Sequence, residues 1–152
     1  MTKRRRVCDV MNPNVVCVRP EMTVRQVEQL LGERRVTGAP VVDEAGQPIG
    51  VVSQHDLIVH QADRTTAGES GRFYTDVDDY RDIARVPIDR STTPVSELMT
   101  RDIVGIERDA SLAEAARLMR GRRIHRLLVT NRGVLVGIVS SLDLLEAVEE
   151  GD

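Results

Sequence analysis

The chain has 152 residues, 41% hydrophobic and 30% charged, which bounds it to an ordinary globular protein of one domain or two small ones. No apolar run approaches the ~20 residues of a membrane-spanning helix, and the basic start Lys3-Arg4-Arg5-Arg6 leads into no apolar signal core. A net charge of −3 opposes general nucleic-acid binding, and the spacing of Cys8 and Cys17 fits neither a disulfide framework nor a zinc site.

Residues 1–6 are expected to form a basic tail, and 7–62 a first structural repeat. A short helix over 7–11 is stopped by Asn12-Pro13, and 15–18 is a brief extended segment ending at Pro20. Thr23-Val24-Arg25-Gln26 has the form of a capping box, with Val24, Val27, Leu30 and Leu31 on one helical face to about Glu33. Residues 39–42 and 49–52 form an antiparallel pair around a turn at 43–47. A helix then runs from Ser53 to about Gln61.

Residues 63–94 are polar and rich in Gly, Thr and Asp, yet they hold every aromatic side chain, Phe73, Tyr74 and Tyr80. Clustered aromatics argue against simple disorder. The expectation is a short helix over 75–84 whose rings lie on the body of the protein or on a second copy of it. Stacking of one ring on a ligand base is the minor alternative.

Residues 95–150 then repeat the order of 7–62. Residues 95–99 are helical and 103–106 extended, and Ser111-Leu112-Ala113-Glu114 caps a helix with Leu112, Ala115, Ala116, Leu118 and Met119 as its apolar residues. Strands over 127–130 and 134–139 flank Asn131-Arg132-Gly133, and a last helix covers 141–149. Sliding Met11 onto Met99 also brings Val15-Val16 onto Ile103-Val104 and Arg34-Arg35-Val36 onto Arg122-Arg123-Ile124. With one residue dropped in the turn, Gly50-Val51-Val52-Ser53-Gln54-His55-Asp56-Leu57 falls on Gly137-Ile138-Val139-Ser140-Ser141-Leu142-Asp143-Leu144. The chain is an internal duplication. It predicts an α/β (α+β) fold made of two β-α-β-β-α units.

The Val-x-x-x-Met starts, the hairpins and the twin Gly-hydrophobic-hydrophobic-Ser-x-x-Asp endings resemble two cystathionine β-synthase (CBS) domains in tandem, a Bateman module. The resemblance implies repeats packed through their sheets with pseudo-twofold symmetry, two clefts between them, and pairing of modules into flat homodimers. It also implies an adenine-containing ligand: AMP, ADP, ATP or S-adenosylmethionine.

In the family the acid of that ending holds the ribose. An ionised carboxylate can accept a hydrogen bond from each ribose hydroxyl, which assigns that role to Asp56 and Asp143. Ser53 and Ser140 sit at helix starts, where free N–H groups and the dipole favour phosphate. Val16, Cys17, Ala39 and Pro40 would wall the adenine in one repeat, and Val104, Gly105, Leu127 and Leu128 in the other.

The repeats differ where Thr37-Gly38 in one is replaced by His125-Arg126 in the other. That pair resembles the nucleotide-sensing γ subunits of AMP-activated protein kinase, in which it contacts phosphate. A solvated basic cluster with Arg120, Arg122 and Arg123 is the plainer alternative. His55 and His60 have no partner at metal-ligand spacing.

No nucleophile elbow, His-Glu-x-x-His or P-loop is present, so no catalytic set or catalytic cofactor is expected. The expected function is a cytoplasmic regulatory sensor whose occupancy is read by an effector protein or an assembly. A structural dimerisation module with vestigial clefts is the alternative from another class. Nucleic acid, through the Arg-rich patch and basic tail, is the weakest.

Overall fold

Two eleven-residue helices set the frame, because each begins on the same polar clasp. In the helix Val24–Arg34 the Thr23 hydroxyl accepts from the Gln26 amide while the Gln26 side chain accepts from the Thr23 amide. Ser111 and Glu114 do the same for Leu112–Arg122. Both helices end in an arginine with left-handed backbone, Arg35 at φ 54° and Arg123 at φ 56°. The duplication therefore extends to the dihedral angles of the caps.

The computed structural model describes residues 4–58, 73–74 and 89–151. In chain order these form α1 (Val7–Val10), α2 (Val24–Arg34), β1 (Gly38–Val42), β2 (Pro48–Ser53) and α3 (Gln54–Ile58). A 3-10 turn at Val95–Glu97 follows, then β3 (Gly105–Glu107), α4 (Leu112–Arg122), β4 (Arg126–Asn131), β5 (Val134–Ser140) and α5 (Ser141–Glu149). Tyr80, the helix expected over 75–84 and the end of the helix after Ser53 lie outside the described residues.

The chain divides into two compact units, a central one of Val16–Ile103 and a terminal one of Met1–Val15 with Val104–Asp152. Each repeat thus lends its opening segment to the other unit. In the terminal unit the Val7 amide donates to the Ala110 carbonyl at 2.9 Å, and Asn12 and Ile138 exchange backbone bonds at 2.8 and 3.0 Å. In the central unit Val51 and Thr100 exchange the matching pair at 2.8 and 2.9 Å.

The central unit is built on the antiparallel β1–β2 pair, with Gly38 opposite Ser53. Its core is apolar and largely β-branched: Val18, Val24, Val27, Leu31, Val41 and Val52 are all at most 1% exposed. The terminal unit has the sheet order β3-β4-β5, with β3 parallel to β4 and Arg126 opposite Ser140. It buries Ala115, Met119, Leu127, Leu128, Val129 and Val139, whereas Ala116, expected on the apolar face of α4, is exposed.

The extended segment expected over 15–18 is reduced to one bridge, Val18 to Val41. Proline explains it. Val18 donates to the Pro40 carbonyl and accepts from the Val42 amide, but the next rung needs an amide at residue 40, which proline lacks. At the matching place Leu128 has that amide and donates it to the Val104 carbonyl at 3.1 Å.

The inter-repeat segment also contributes to burial, as its clustered aromatics predict for rings lying on the body of the protein. Phe73 is 4% exposed and Tyr74 1%, with the Tyr74 hydroxyl donating to the Asp102 carbonyl at 2.9 Å.

Candidate functional site

Each Ser-x-x-Asp ending closes on itself at a strand-to-helix corner. The Ser140 amide donates to Asp143 Oδ2 at 2.7 Å, and the Asp143 amide donates back to Ser140 Oγ at 3.2 Å. At the other corner the Ser53 amide donates to Asp56 Oδ2 at 2.8 Å and the Asp56 amide to Ser53 Oγ at 3.3 Å, while the Ser53 hydroxyl also reaches Oδ2 at 3.1 Å. Capping occupies Oδ2 in both. Asp143 Oδ1 accepts no hydrogen bond among the described residues, and both acids are half-buried. A carboxylate held by its own helix start keeps an oxygen in a set direction for a hydroxyl donor.

The predicted residues sort cleanly between the units. Val16, Cys17, Ala39, Pro40, Ser53 and Asp56 all fall in the central unit. Val18 lies beside β1 through its bridge to Val41, which brings the end of the Val16-Cys17 segment to Ala39 and Pro40. Gly38 opposite Ser53 then links that strand to the Asp56 corner. Ala39 and Pro40 are buried, Val16 is half-buried and Cys17 exposed. Neighbouring protein still desolvates the Cys17 thiol and raises its pKa, which keeps it neutral at pH 7.

Val104, Gly105, His125, Arg126, Leu127, Ser140 and Asp143 fall in the terminal unit. Gly105 pairs with Leu128 and Arg126 with Ser140, and the Ser141 amide donates to the His125 carbonyl at 2.8 Å. The Arg126 side chain is therefore carried on the residue directly across from the helix cap. It is half-buried, and burial lowers the pKa of its guanidinium from the ordinary value. A guanidinium remains charged under such a shift and gains by pairing with an anion. His125 is exposed.

Two grooves border the helices that follow these corners. One is lined by Glu28, Leu31, Gln54 and Leu57, the other by residues including Arg5, Ser111, Arg117, Leu144 and Val148, and neither includes Asp56 or Asp143. Among the described residues no three His, Cys, Asp or Glu side chains gather as a metal site, and no helix is long and apolar enough to cross a membrane.

Two features escaped the sequence reading. Phe73 rests on Gly38, so that a Cβ added there would stand 2.9 Å from the ring. The Val16 carbonyl also lacks the amide that Leu128 supplies to Val104. Both had signals: a glycine inside a strand marks close approach, and a proline within one removes a donor.

Two like units, each ending a β-hairpin in a Ser-x-x-Asp corner, define a tandem α/β repeat module. The chain belongs to the CBS domain family, whose model matches residues 7–63 and 95–150. It is 31% identical over 139 residues to the CBS domain-containing protein YhcV of Bacillus subtilis, covering 91% of this chain and 81% of that protein. It is 29% identical over 148 residues to the CBS domain-containing protein CBSX2, chloroplastic, of Arabidopsis thaliana, covering 93% of this chain and 62% of the relative. The crystal structure of CBSX2 in complex with AMP matches with a TM-score of 0.68 at 28% identity, over 95% of this chain and 96% of that one. The cytosolic domain of the Mg2+ channel MgtE in complex with ATP matches at 30% identity and a TM-score of 0.63, over 90% and 46%. Against four curated relatives the chain spans only 33% to 62% of their length.

Proposed function

We propose that this chain is a regulatory module that binds an adenine nucleotide of the AMP, ADP or ATP class and transmits its occupancy to an effector protein or an assembly of copies. The observation that carries this reading is the twin corner: each unit places an acid, fixed through one oxygen by a capping box, next to an apolar strand end. Asp56 and Asp143 would accept from ribose hydroxyls. Val16, Cys17, Ala39 and Pro40, or Val104, Gly105, Leu127 and Leu128, would flank the base. Ser140, Arg126 and His125 would face the phosphate. The AMP complex of CBSX2 and the ATP complex of the MgtE cytosolic domain support the ligand class.

Nothing in this arrangement needs bond-making chemistry. A ligand that binds one arrangement of the module more tightly than another shifts the population by that difference, and a partner senses the shift. Calorimetric titration with AMP, ADP, ATP and S-adenosylmethionine is the test. Submillimolar binding of one of them, weakened in Asp143→Ala, is expected. Silence from all four at millimolar concentration would defeat the reading.

A second reading rests on α5, where Leu142, Leu145 and Val148 are 68%, 60% and 63% exposed. Such a stripe favours a contact with another chain, a homodimer first. Under a purely structural role, sedimentation velocity would show a dimer that Leu145→Asp breaks, with melting unaffected by any nucleotide.

A further inference from the structure

The two sites are not copies of one another, and the difference is concentrated at one register position. In an antiparallel pair, residues directly opposite point to the same face of the sheet. Arg126 stands opposite Ser140 and so presents its guanidinium on the face of the cap hydroxyl. The matching residue of the central unit is Gly38, opposite Ser53. The space a side chain would fill there is taken by Phe73: a Cβ on Gly38 would lie 2.9 Å from ring atom Cδ2 and 2.8 Å from the Val52 carbonyl oxygen.

Phe73 is held in place by Tyr74. Their rings meet edge to face at 5.0 Å and 88°, and the Tyr74 hydroxyl is bound to the Asp102 carbonyl. Cap exposure follows the same division, since Ser53 is 5% exposed whereas Ser140 is half-buried. A phosphate brought to Gly38 would lose water against a phenyl ring and find at that register position no guanidinium such as Arg126 offers in the other unit. At the other end of the same site the Val16 carbonyl lacks its ladder donor because Pro40 has no amide, which leaves an acceptor suited to an exocyclic amino group.

We infer that Phe73, seated on Gly38, makes the central site refuse a 5′-phosphate, so that it takes an unphosphorylated adenine nucleoside while the Arg126 site takes the nucleotide. This rests on the adenine-ligand reading above and sharpens it into two ligand classes on one chain.

Calorimetry with AMP and with adenosine tests it on the full chain. Wild type is expected to bind one AMP, and Arg126→Ala should weaken it about 10- to 100-fold, the range for losing a charge-assisted hydrogen bond. Adenosine should bind with an affinity that Arg126→Ala lowers far less than it lowers AMP affinity. Phe73→Ala should admit a second AMP, whereas Phe73→Leu, which keeps bulk on Gly38, should still bind one. Two AMP on wild type would overturn the inference, as would a folded Phe73→Ala that still binds only one. If Phe73→Ala does not fold, the acids decide. Asp143→Asn should weaken AMP more than Asp56→Asn, with the order reversed for adenosine, and equal effects would overturn the inference. A wild type that binds neither AMP nor adenosine overturns the inference, and the adenine reading falls with it only if ADP, ATP and S-adenosylmethionine are silent as well.

Discussion

Gly50 and Gly137 show how a single atom can be excluded at the residue scale. A Cβ on Gly50 would stand 2.6 Å from Met99 Sδ and 2.9 Å from the Thr100 carbonyl oxygen, and one on Gly137 would stand 2.6 Å from Met11 Sδ and 3.0 Å from the Asn12 carbonyl oxygen. The thioether can swing aside, but the carbonyl belongs to a bridge and cannot. Gly50→Ala and Gly137→Ala are therefore each expected to lower stability by about 1–3 kcal/mol in urea unfolding, the usual cost of overpacking. A wild-type midpoint in both would show that the opening segments are not seated as described. The glycines are visible in the sequence as part of the repeated ending. That each meets a methionine from the opposite repeat is not, because that contact joins positions far apart in the chain.

At the scale of the element, helix ends carry most of the legible information. Thr23 with Gln26, Ser111 with Glu114, and Ser140 with Asp143 form the reciprocal bonds that their spacing predicts, since a capping box depends on residues three apart. The C-termini of α2 and α4 run against local preference. Arg35 and Arg123 adopt the left-handed conformation that glycine fills without penalty. Arg35→Gly and Arg123→Gly should therefore each raise stability by about 0.5–1 kcal/mol, once the added freedom of the unfolded chain offsets part of the relieved strain. Thermal melts of the two variants check this. A fall in both would mean that the arginine side chains contribute more than their backbones lose. Strand ends were less legible: β3 begins at Gly105, and its counterpart near Val18 shrinks to one bridge because of Pro40.

On the scale of the whole molecule, acid and ligand are the two handles. The Thr130 hydroxyl and the Arg132 amide both donate to Glu107 and hold its carboxyl below the ordinary value of 4.5. Asp89 is lowered in the same way, first by the Ser91 hydroxyl. A depressed acid contributes stability that is present above its unfolded pKa and is lost as pH falls through the folded one. Melting temperature should therefore drop below about pH 4.5, and Glu107→Gln should flatten part of that limb. An identical acid profile in the variant would count against these bonds. If a nucleotide binds the folded chain alone, AMP at a hundred times its dissociation constant should add about 2.7 kcal/mol to stability. A thermal shift that saturates far below this would point to binding by the unfolded chain as well.

Duplication, helix starts, hairpins and the paired Ser-x-x-Asp corners were all written in the sequence, because each depends on residues within a few positions or on comparing the chain with itself. Which segment joins which unit was decided only by the tertiary structure. α1 of the first repeat lies with β5 of the second, and Thr100 of the second lies with β2 of the first. Nor does local sequence tell that Phe73, in a polar stretch, comes to rest on Gly38, since burial of that ring depends on a glycine thirty-five positions earlier offering bare backbone. Local hydrogen bonding and periodicity act along the chain and can be read there. Burial acts through space, and it gave two similar Ser-x-x-Asp corners different surroundings, Phe73 on Gly38 beside one and Arg126 across from the other.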